Sequence, residues 1–327
     1  MYAQVVRYYQ FGDPQNVLKV EQRIIEPLKQ DEILVKMDAR PINPSDLIPI
    51  RGAYRHRICL PAVPGYEGVG TVVETGPLAS STLIGKRVLP LRGEGTWQDY
   101  VISRAVLAIE VPDQINDDAA SRLYINPITA WVICTETLKI TSDQVLLVNA
   151  ANSSIGRLFI QLSSLFGFRV IAIIRHTRYA EELLNLGAWY VIDSSRMSIY
   201  DATMSVTNGQ GADASIDSIG GLDGFELARS TRPGGTFLAL GLLSGTQVDW
   251  ARISKELSVH PQLFLLRHWI QQISLSRWHD TFEKVIELVQ NGQLNFTAPT
   301  ERFALHCVKE AVQFAESNKR TGKILLV

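Results

Sequence analysis

Residues 145–156, Val-Leu-Leu-Val-Asn-Ala-Ala-Asn-Ser-Ser-Ile-Gly, run from an apolar strand through a turn of small residues into the start of a helix. In that order a chain offers backbone N–H groups to a pyrophosphate. The glycines usual in such a turn are thinned: Ala150 and Ser153 hold the first two small-residue places and Gly156 keeps the third. Small side chains still let the backbone approach phosphate oxygens, and a helix expected from Ser154 supplies its positive end. Asn152, Ser153, Ser154, Ile155 and Gly156 are the candidate contacts. An apolar helical stretch, 158–166, then leads to a second buried strand, 170–174, at the spacing of a βαβ unit.

The end of that second strand selects the dinucleotide. NAD-specific folds place an acidic residue there, about 20 positions beyond the turn, to accept both ribose hydroxyls. Here the strand exits into Arg175-His176-Thr177-Arg178, with no carboxylate. A guanidinium can fork onto a 2′-phosphate and stack on adenine, so NADPH is the expected cofactor. A plainer reading, arginines solvating a strand end, stands beside it.

Length and charge bound the rest. A chain of 327 residues suits two domains, and a hydrophobic content of 46% can fill both cores. A formal net charge of −1 gives no electrostatic case for nucleic acid or an anionic membrane. Cys59, Cys134 and Cys307 are isolated, with no CxxC pair, which fits a reducing cytoplasm. The first residues enter a strand-like run, 3–8, without a leader pattern, and no apolar run is long enough to cross a bilayer. No internal repeats or low-complexity linkers are visible.

The pattern changes character twice. Up to about Leu107, short β-like runs such as 33–37, 68–74 and 87–91 are cut by Gly and Pro, which reads as a compact β domain. From about Asp117 to Val259, strands at 145–148, 170–174, 190–192, 214–218 and 236–240 alternate with helices, the signature of a doubly wound parallel sheet. An amphipathic helix over 279–290 follows, and an apolar tail, 322–327, is expected to return to the β domain as a strand. The expected fold class is α/β, a Rossmann domain over 121–264 and a β domain over 1–120 completed by about 265–327. The apolar run 236–243 beside a strand edge leads to the expectation of a homodimer formed through the Rossmann sheet.

With these segments in hand, the sequence resembles the medium-chain dehydrogenase/reductase superfamily along nearly its whole length. The similarity is strongest to its zinc-free 2-enoyl thioester reductases and the neighbouring quinone oxidoreductases. It is carried, in chain order, by Ile42-Asn43-Pro44-Ser45-Asp46, Arg51-Gly52-Ala53-Tyr54, the run 60–68, Asn126-Pro127-Ile128-Thr129-Ala130, the turn 149–156, Asp217-Ser218-Ile219-Gly220-Gly221 and Gly322-Lys323. The resemblance implies that the β domain is GroES-like and that the active site lies in the cleft between it and the Rossmann domain.

Zinc-dependent relatives carry Cys where this chain has Asn43 and His where it has Tyr66, and the cysteine cluster of a structural zinc is missing. No metal is expected, because tetrahedral zinc needs thiolate or imidazole donors. Hydride addition to a carbonyl develops a full alkoxide, which a metal would stabilise. Addition to the β-carbon of an activated alkene develops a delocalised enolate that hydrogen-bond donors can hold. The expected function is therefore NADPH-dependent reduction of an activated C=C bond, of a trans-2-enoyl thioester first and of a quinone or enone as the alternative. A non-catalytic NADPH-binding protein is a third reading, since fold does not fix function.

The resemblance also assigns roles. Tyr54 matches the tyrosine placed beside substrate, where a phenol, protonated at neutral pH, can donate to the enolate; a loop aromatic packed on the cleft is the plainer alternative. Asn43 falls among the cofactor contacts. Asn126 and Thr129 match a segment against the nicotinamide ribose and ring, or cap a helix from Ile128. Arg175, His176 and Thr177 match the adenosine-phosphate pocket. Leu240, Gly241, Leu242 and Leu243 follow a strand whose backbone meets the nicotinamide amide. Lys323 matches a near-terminal lysine that reaches cofactor, although a lone lysine before an apolar strand is often solvated. Phe264 and Leu265 are expected in the acceptor pocket. There the reductases show Gly-Phe-Trp-Leu, so Leu265 stands in place of a tryptophan that shapes their acyl site. Nearby Trp269 offers a substitute for it, and at an expected helix start it reads first as core.

Overall fold

The structure is a computed structural model that describes residues 1–90, 92–93, 95–317 and 322–327. Leu91, the last residue of the expected run 87–91, lies outside them. Two compact units emerge: one holds residues 1–125, 273–292 and 296–327, the other 126–272 and 293–295.

The first unit is built on strands β1 (Tyr2–Arg7), β2 (Lys19–Ile24), β3 (Glu32–Pro41), β4 (Val69–Thr75), β5 (Arg87–Leu89), β6 (Tyr100–Arg104) and β7 (Ile109–Glu110). β1 and β2 form an antiparallel pair, while β3 pairs antiparallel with both β4 and β6. Ile33, Val35, Met37, Val72, Val88 and Val101 fill one core on this sheet. Beyond β3 a helix, Pro44–Ile50, starts with proline in its first turn, where the missing N–H costs nothing, and carries Asp46 near its positive end. Past its C-terminus the chain turns at Gly52, whose φ of +92° only glycine adopts readily.

The second unit is a six-stranded sheet of β8 (Val145–Val148), β9 (Arg169–Ile174), β10 (Tyr190–Asp193), β11 (Ala212–Asp217), β12 (Thr231–Ala239) and β13 (His260–Leu263). The strands are parallel throughout. Their spatial order is β10-β9-β8-β11-β12-β13, the doubly wound Rossmann order. Its switch point falls between β8 and β11, and ligands bind outside the carboxyl ends of strands at such a point. The near-continuous burial of β8 and β9 is what a sheet covered on both faces requires. β13 has no counterpart in the sequence reading. His-Pro-Gln-Leu lacks an apolar alternation, and its Pro261 suits an edge strand, the one place in a sheet where a missing N–H is tolerated.

The chain then returns to the first unit through a helix, Leu275–Gln290, longer at its start than the 279–290 expected because Ser274 caps it by accepting from Arg277 N at 3.1 Å. β14 (Glu301–Phe303) and β15 (Ile324–Leu326) close the unit. β15 pairs antiparallel with the end of β3, setting Leu325 opposite Pro41 and Leu326 opposite Arg40. Arg40, 1% exposed, spends its guanidinium on backbone carbonyls of Thr96, Gln98 and Leu326. Burial draws its pKa down to about 10.

Two local expectations are corrected. The helix expected from Ile128 runs from Ile125 to Val132, so Asn126 and Thr129 sit inside it and do not cap it. Its first N–H, on Ile125, is instead satisfied by the Glu67 carboxylate at 2.7 Å. Trp269 is not core: it is half-buried in the helix Leu266–Gln272. Its indole N–H, which needs a partner when withdrawn from water, donates to Glu136 at 2.9 Å.

Candidate functional site

Within the second unit, candidate residues gather at the carboxyl ends of β8, β9, β11 and β12. After β8 the chain passes Ala150, held at φ +47°, and reaches Ser153. This residue caps the helix Ser154–Phe166 by accepting from Gly156 N at 3.2 Å. The first N–H groups of any helix lack intrahelical carbonyl partners; Gly156 N is spent on this cap and Ser153 N on the Ala150 carbonyl at 2.8 Å, which leaves those of Ser154 and Ile155 as the donors for an anion. Gly156 is required by packing: a Cβ there would lie 2.6 Å from the backbone Cα and O of Ala151. Asn152, Ser153, Ser154 and Ile155 are all half-buried.

Two supports of this turn escaped the sequence reading. Arg157 donates to the Asn152 carbonyl at 3.1 Å and forks onto Glu182 at 2.6 and 2.8 Å, a pairing that holds the Glu182 carboxyl below its usual range. Asn149 donates to Asp217 at 2.7 Å and accepts from Ser218 N at 2.7 Å. Asp217, fully buried, also accepts from Ile219 N and Gly220 N. The Asn149–Asp217 pair therefore fastens the loops on either side of the switch point. Beside it, Leu240 N and Gly241 N donate to the Asp217 carbonyl at 2.8 and 3.2 Å, and Leu243 N to that of Ser218 at 3.0 Å. A Cβ at Gly241 would come within 2.7 Å of the Ser218 carbonyl oxygen.

Arg175, His176 and Thr177 line a cavity of about 220 Å³ together with Arg178, Asp193, Ser195 and Arg196. Arg175, His176, Thr177 and Arg178 are exposed. The sequence reading missed that β10 contributes a second wall. Asp193 Oδ1 accepts from Ser195 N at 3.0 Å and from its hydroxyl at 2.6 Å, and Arg196 Nε lies 3.7 Å from Oδ2. These hydrogen bonds hold the Asp193 carboxyl below its ordinary range. A carboxylate is thus present in the pocket, but it stems from the third strand and is engaged by its own neighbours. The arginines leave the cavity cationic on balance.

Asn126 is half-buried and Thr129 6% exposed on their helix. Phe264 and Leu265, both half-buried, follow β13, with Phe264 N bonded to the Ala239 carbonyl at 2.8 Å.

The first unit carries the other candidates. Asn43, 2% exposed, donates its amide to Glu67 Oε1 at 2.8 Å and accepts at Oδ1 from Lys323. Lys323 is only 5% exposed, so the reading of a solvated lysine does not hold. Asp46, buried beneath them, accepts from Asn43 N at 2.7 Å and Tyr66 N at 3.0 Å. Burial raises the Asp46 carboxyl to about 7, against the pull of these N–H groups and of Lys323. Burial also raises Glu67, opposed by the N–H of Ile125 and then by Lys323. Asp46 and Glu67 lie inside motifs the sequence reading quoted, but a carboxylate in a motif does not announce that it is buried. Tyr54 stands half-buried on the turn after the helix Pro44–Ile50, with the Arg57 guanidinium 4.6 Å from its ring centroid. Among the described residues no three His, Cys, Asp or Glu side chains are grouped to hold a metal ion, and no helix is long and apolar enough to cross a membrane.

This pairing of a Rossmann sheet with a GroES-like sheet is matched by comparison with known proteins. Residues 29–113 match the alcohol dehydrogenase GroES-like domain and residues 154–291 the zinc-binding dehydrogenase domain. The mitochondrial enoyl-[acyl-carrier-protein] reductase of Rattus norvegicus is 30% identical over 301 residues, 89% of this chain and 79% of the relative. A Bacillus thuringiensis structure, provisionally described as an NADPH:quinone reductase, is 54% identical with a TM-score of 0.97, over 100% of this chain and 99% of that one. The Escherichia coli quinone oxidoreductase complexed with NADPH shares the fold at 21% identity, with a TM-score of 0.89 over 99% of both chains. The chain belongs to the medium-chain dehydrogenase/reductase superfamily and is an oxidoreductase.

Proposed function

We propose that this oxidoreductase uses NADPH to reduce an activated carbon–carbon double bond, a trans-2-enoyl thioester in the first instance. The observation that carries the cofactor is the cavity at the ends of β9 and β10, where Arg175, Arg178 and Arg196 converge with Thr177 and Ser195. Fork-shaped guanidinium donors suit a 2′-phosphate. The turn 152–156 would hold the pyrophosphate on backbone N–H groups, with Gly156 keeping helix and strand close. Leu240 to Leu243, Asn126 and Thr129 are proposed around the nicotinamide. When bound, NADPH supplies a hydride equivalent to the β-carbon of the acceptor.

The residues of the chain have the remaining work of orienting the acceptor and placing a proton. We assign to Tyr54 the donation of its hydroxyl hydrogen to the enolate that develops on the thioester, and to Phe264 and Leu265 the apolar lining for the acyl chain. Asn43 and Lys323 bond each other within the first unit; there they hold Glu67 and the backbone around it, and any cofactor contact they make is additional. Enoyl thioesters come first because the enoyl-[acyl-carrier-protein] reductases align over most of their length. The second reading, a quinone or enone acceptor, is favoured by the relative at 54% identity.

NADPH oxidation by the purified protein, with crotonyl-CoA and longer 2-enoyl-CoA thioesters set against small quinones, decides between them. Higher kcat/KM on the thioesters is expected. Turnover confined to quinones would replace the first reading by the second, and no turnover on either class would leave a binding protein. The free cysteines fit a reducing compartment, and we favour the cytoplasm, while the Rattus norvegicus relative is mitochondrial. We also favour a homodimer, since β13 ends the six-stranded sheet as an edge with Leu263 60% exposed.

A further inference from the structure

The turn that carries Tyr54 is unusually basic, Arg51-Gly-Ala-Tyr54-Arg55-His56-Arg57, and its arginines are engaged differently. Arg51 pairs with Glu316 at 2.6 Å. Arg55 bonds the Gly52 carbonyl and lies 5.8 Å from the Phe11 ring centroid. Both are exposed, whereas Arg57 is half-buried. Its backbone N–H closes a turn onto the Tyr54 carbonyl at 3.0 Å, and its guanidinium lies 4.6 Å from the Tyr54 ring centroid. Its Nη2 also donates to the Tyr66 hydroxyl at 3.1 Å. Tyr66 is in turn tied through its backbone N–H to the buried Asp46 carboxylate at 3.0 Å. A continuous path of contacts thus runs from a buried carboxylate through Tyr66 and Arg57 to the ring of Tyr54.

A tyrosine on a turn has no strand ladder to fix it, yet a proton donor must come within about 3 Å of its target. Misplacement by about 1 Å can cost orders of magnitude in rate. A planar guanidinium suits this task, because it stacks on an aromatic face while its edge donates elsewhere. The geometry points to Arg57 as the positioning residue for Tyr54, with the Tyr66 hydroxyl as its anchor. Tyr66 occupies the place where zinc-dependent relatives carry a histidine, so a position that serves a metal there serves the proton donor here. The inference rests on the assignment of proton donation to Tyr54.

The test is steady-state kinetics of the full chain with NADPH and its best acceptor, for Y54F, R57M, R57K, Y66F and the doubles R57M/Y54F and R57M/Y66F. R57M should lower kcat about tenfold, the scale of one stacked cation, with the KM for NADPH unchanged. R57K, which keeps the charge but not the plane, should recover only part of the loss. Y66F should cost roughly fivefold, the scale of one hydrogen bond, and should add nothing in the R57M background. The decisive comparison is R57M in the Y54F background: no further loss of kcat is expected once the hydroxyl is gone. An equal loss in both backgrounds, or no loss from R57M alone, overturns the positioning role while leaving Tyr54 as donor. Full kcat in Y54F overturns the donor assignment itself and the positioning role with it.

Discussion

Exchanging Lys323 for methionine would remove a buried charge while nearly keeping the volume and reach of the side chain, so it separates electrostatics from packing. Lys323 donates to Asn43, which donates to Glu67, and the charge of Lys323 opposes the burial that raises both Glu67 and Asp46. Removing one partner from such a buried set costs about 3–5 kcal/mol when the remaining charge stays ionised. The carboxyls have an escape, since each can take up a proton at about 1.36 kcal/mol per pH unit. Asp46 has its ordinary value at 3.8 and stands near 7 in the fold. A carboxyl raised in this way contributes stability that is fully present below the unfolded pKa and is lost as pH climbs through the folded one. Without Lys323 the folded pKa values of Asp46 and Glu67 rise further, and the window of loss extends above pH 7. K323M should therefore cost little near pH 5 and about 1.4 kcal/mol through Asp46 near pH 8, one pH unit above its folded value at about 1.36 kcal/mol per unit, with Glu67 adding in the same direction. Urea titration at both pH values, read by hydrogen exchange of peptides from β3 and β15, reports on the first unit separately. Equal losses at the two pH values, or a loss under about 1 kcal/mol at pH 8, would refute the reasoning.

Arg175→Ala should take about 1.5–3 kcal/mol from the preference for NADPH over NADH, the worth of a hydrogen bond to a charged group, and Arg196→Ala should take part of the same preference; dissociation constants of both cofactors check this, and equal constants in the unaltered protein would remove the basis for either. Gly156→Ala should destabilise the second unit by about 1–3 kcal/mol, because its Cβ would meet backbone atoms of Ala151 that cannot swing aside; thermal unfolding with and without NADPH measures it, and an unchanged midpoint would contradict the close packing. Light scattering at micromolar concentration should give twice the 36.4 kDa chain mass, and a charged residue in place of Leu263 should shift that mass toward the monomer; a monomer in the unaltered protein would exclude the dimer.

The parallel sheet was legible because β8 and β9 each bury a run of aliphatic residues, and the Ser153 cap follows from residue type alone. β13 was not legible, since an edge strand needs no apolar alternation and tolerates Pro261. The site showed the same division. Arg175, His176 and Thr177 were recognised from the end of one strand, whereas Asp193, Ser195 and Arg196 come from the next strand, about 20 positions later, and meet them only through sheet order. Long-range partnership also hid the buried network: Asn43 and Lys323 are separated by 280 positions and Asn149 and Asp217 by 68. A sequence displays residue types and local spacing; it does not show which side chains must satisfy one another once water is gone.

That limit bears on how Asn43 and Tyr66 should be understood. Read only as missing zinc ligands, they are deletions from a metal site. In the fold both have positive duties that the metal-binding residues would perform poorly. The Asn43 amide acts at both ends, donating to Glu67 and accepting from Lys323. A thiol in its place gives Glu67 only a weak donor and Lys323 only a weak acceptor. The Tyr66 hydroxyl accepts from the Arg57 guanidinium at 3.1 Å, a reach that the shorter imidazole side chain does not have. Burial makes a mismatch at Asn43 expensive, because an unsatisfied polar group withdrawn from water has no solvent to compensate it. Positions 43 and 66 are therefore coupled to the lysine, carboxylates and arginine around them, and exchanging either residue would disturb Asp46, Arg57, Glu67 and Lys323 as well.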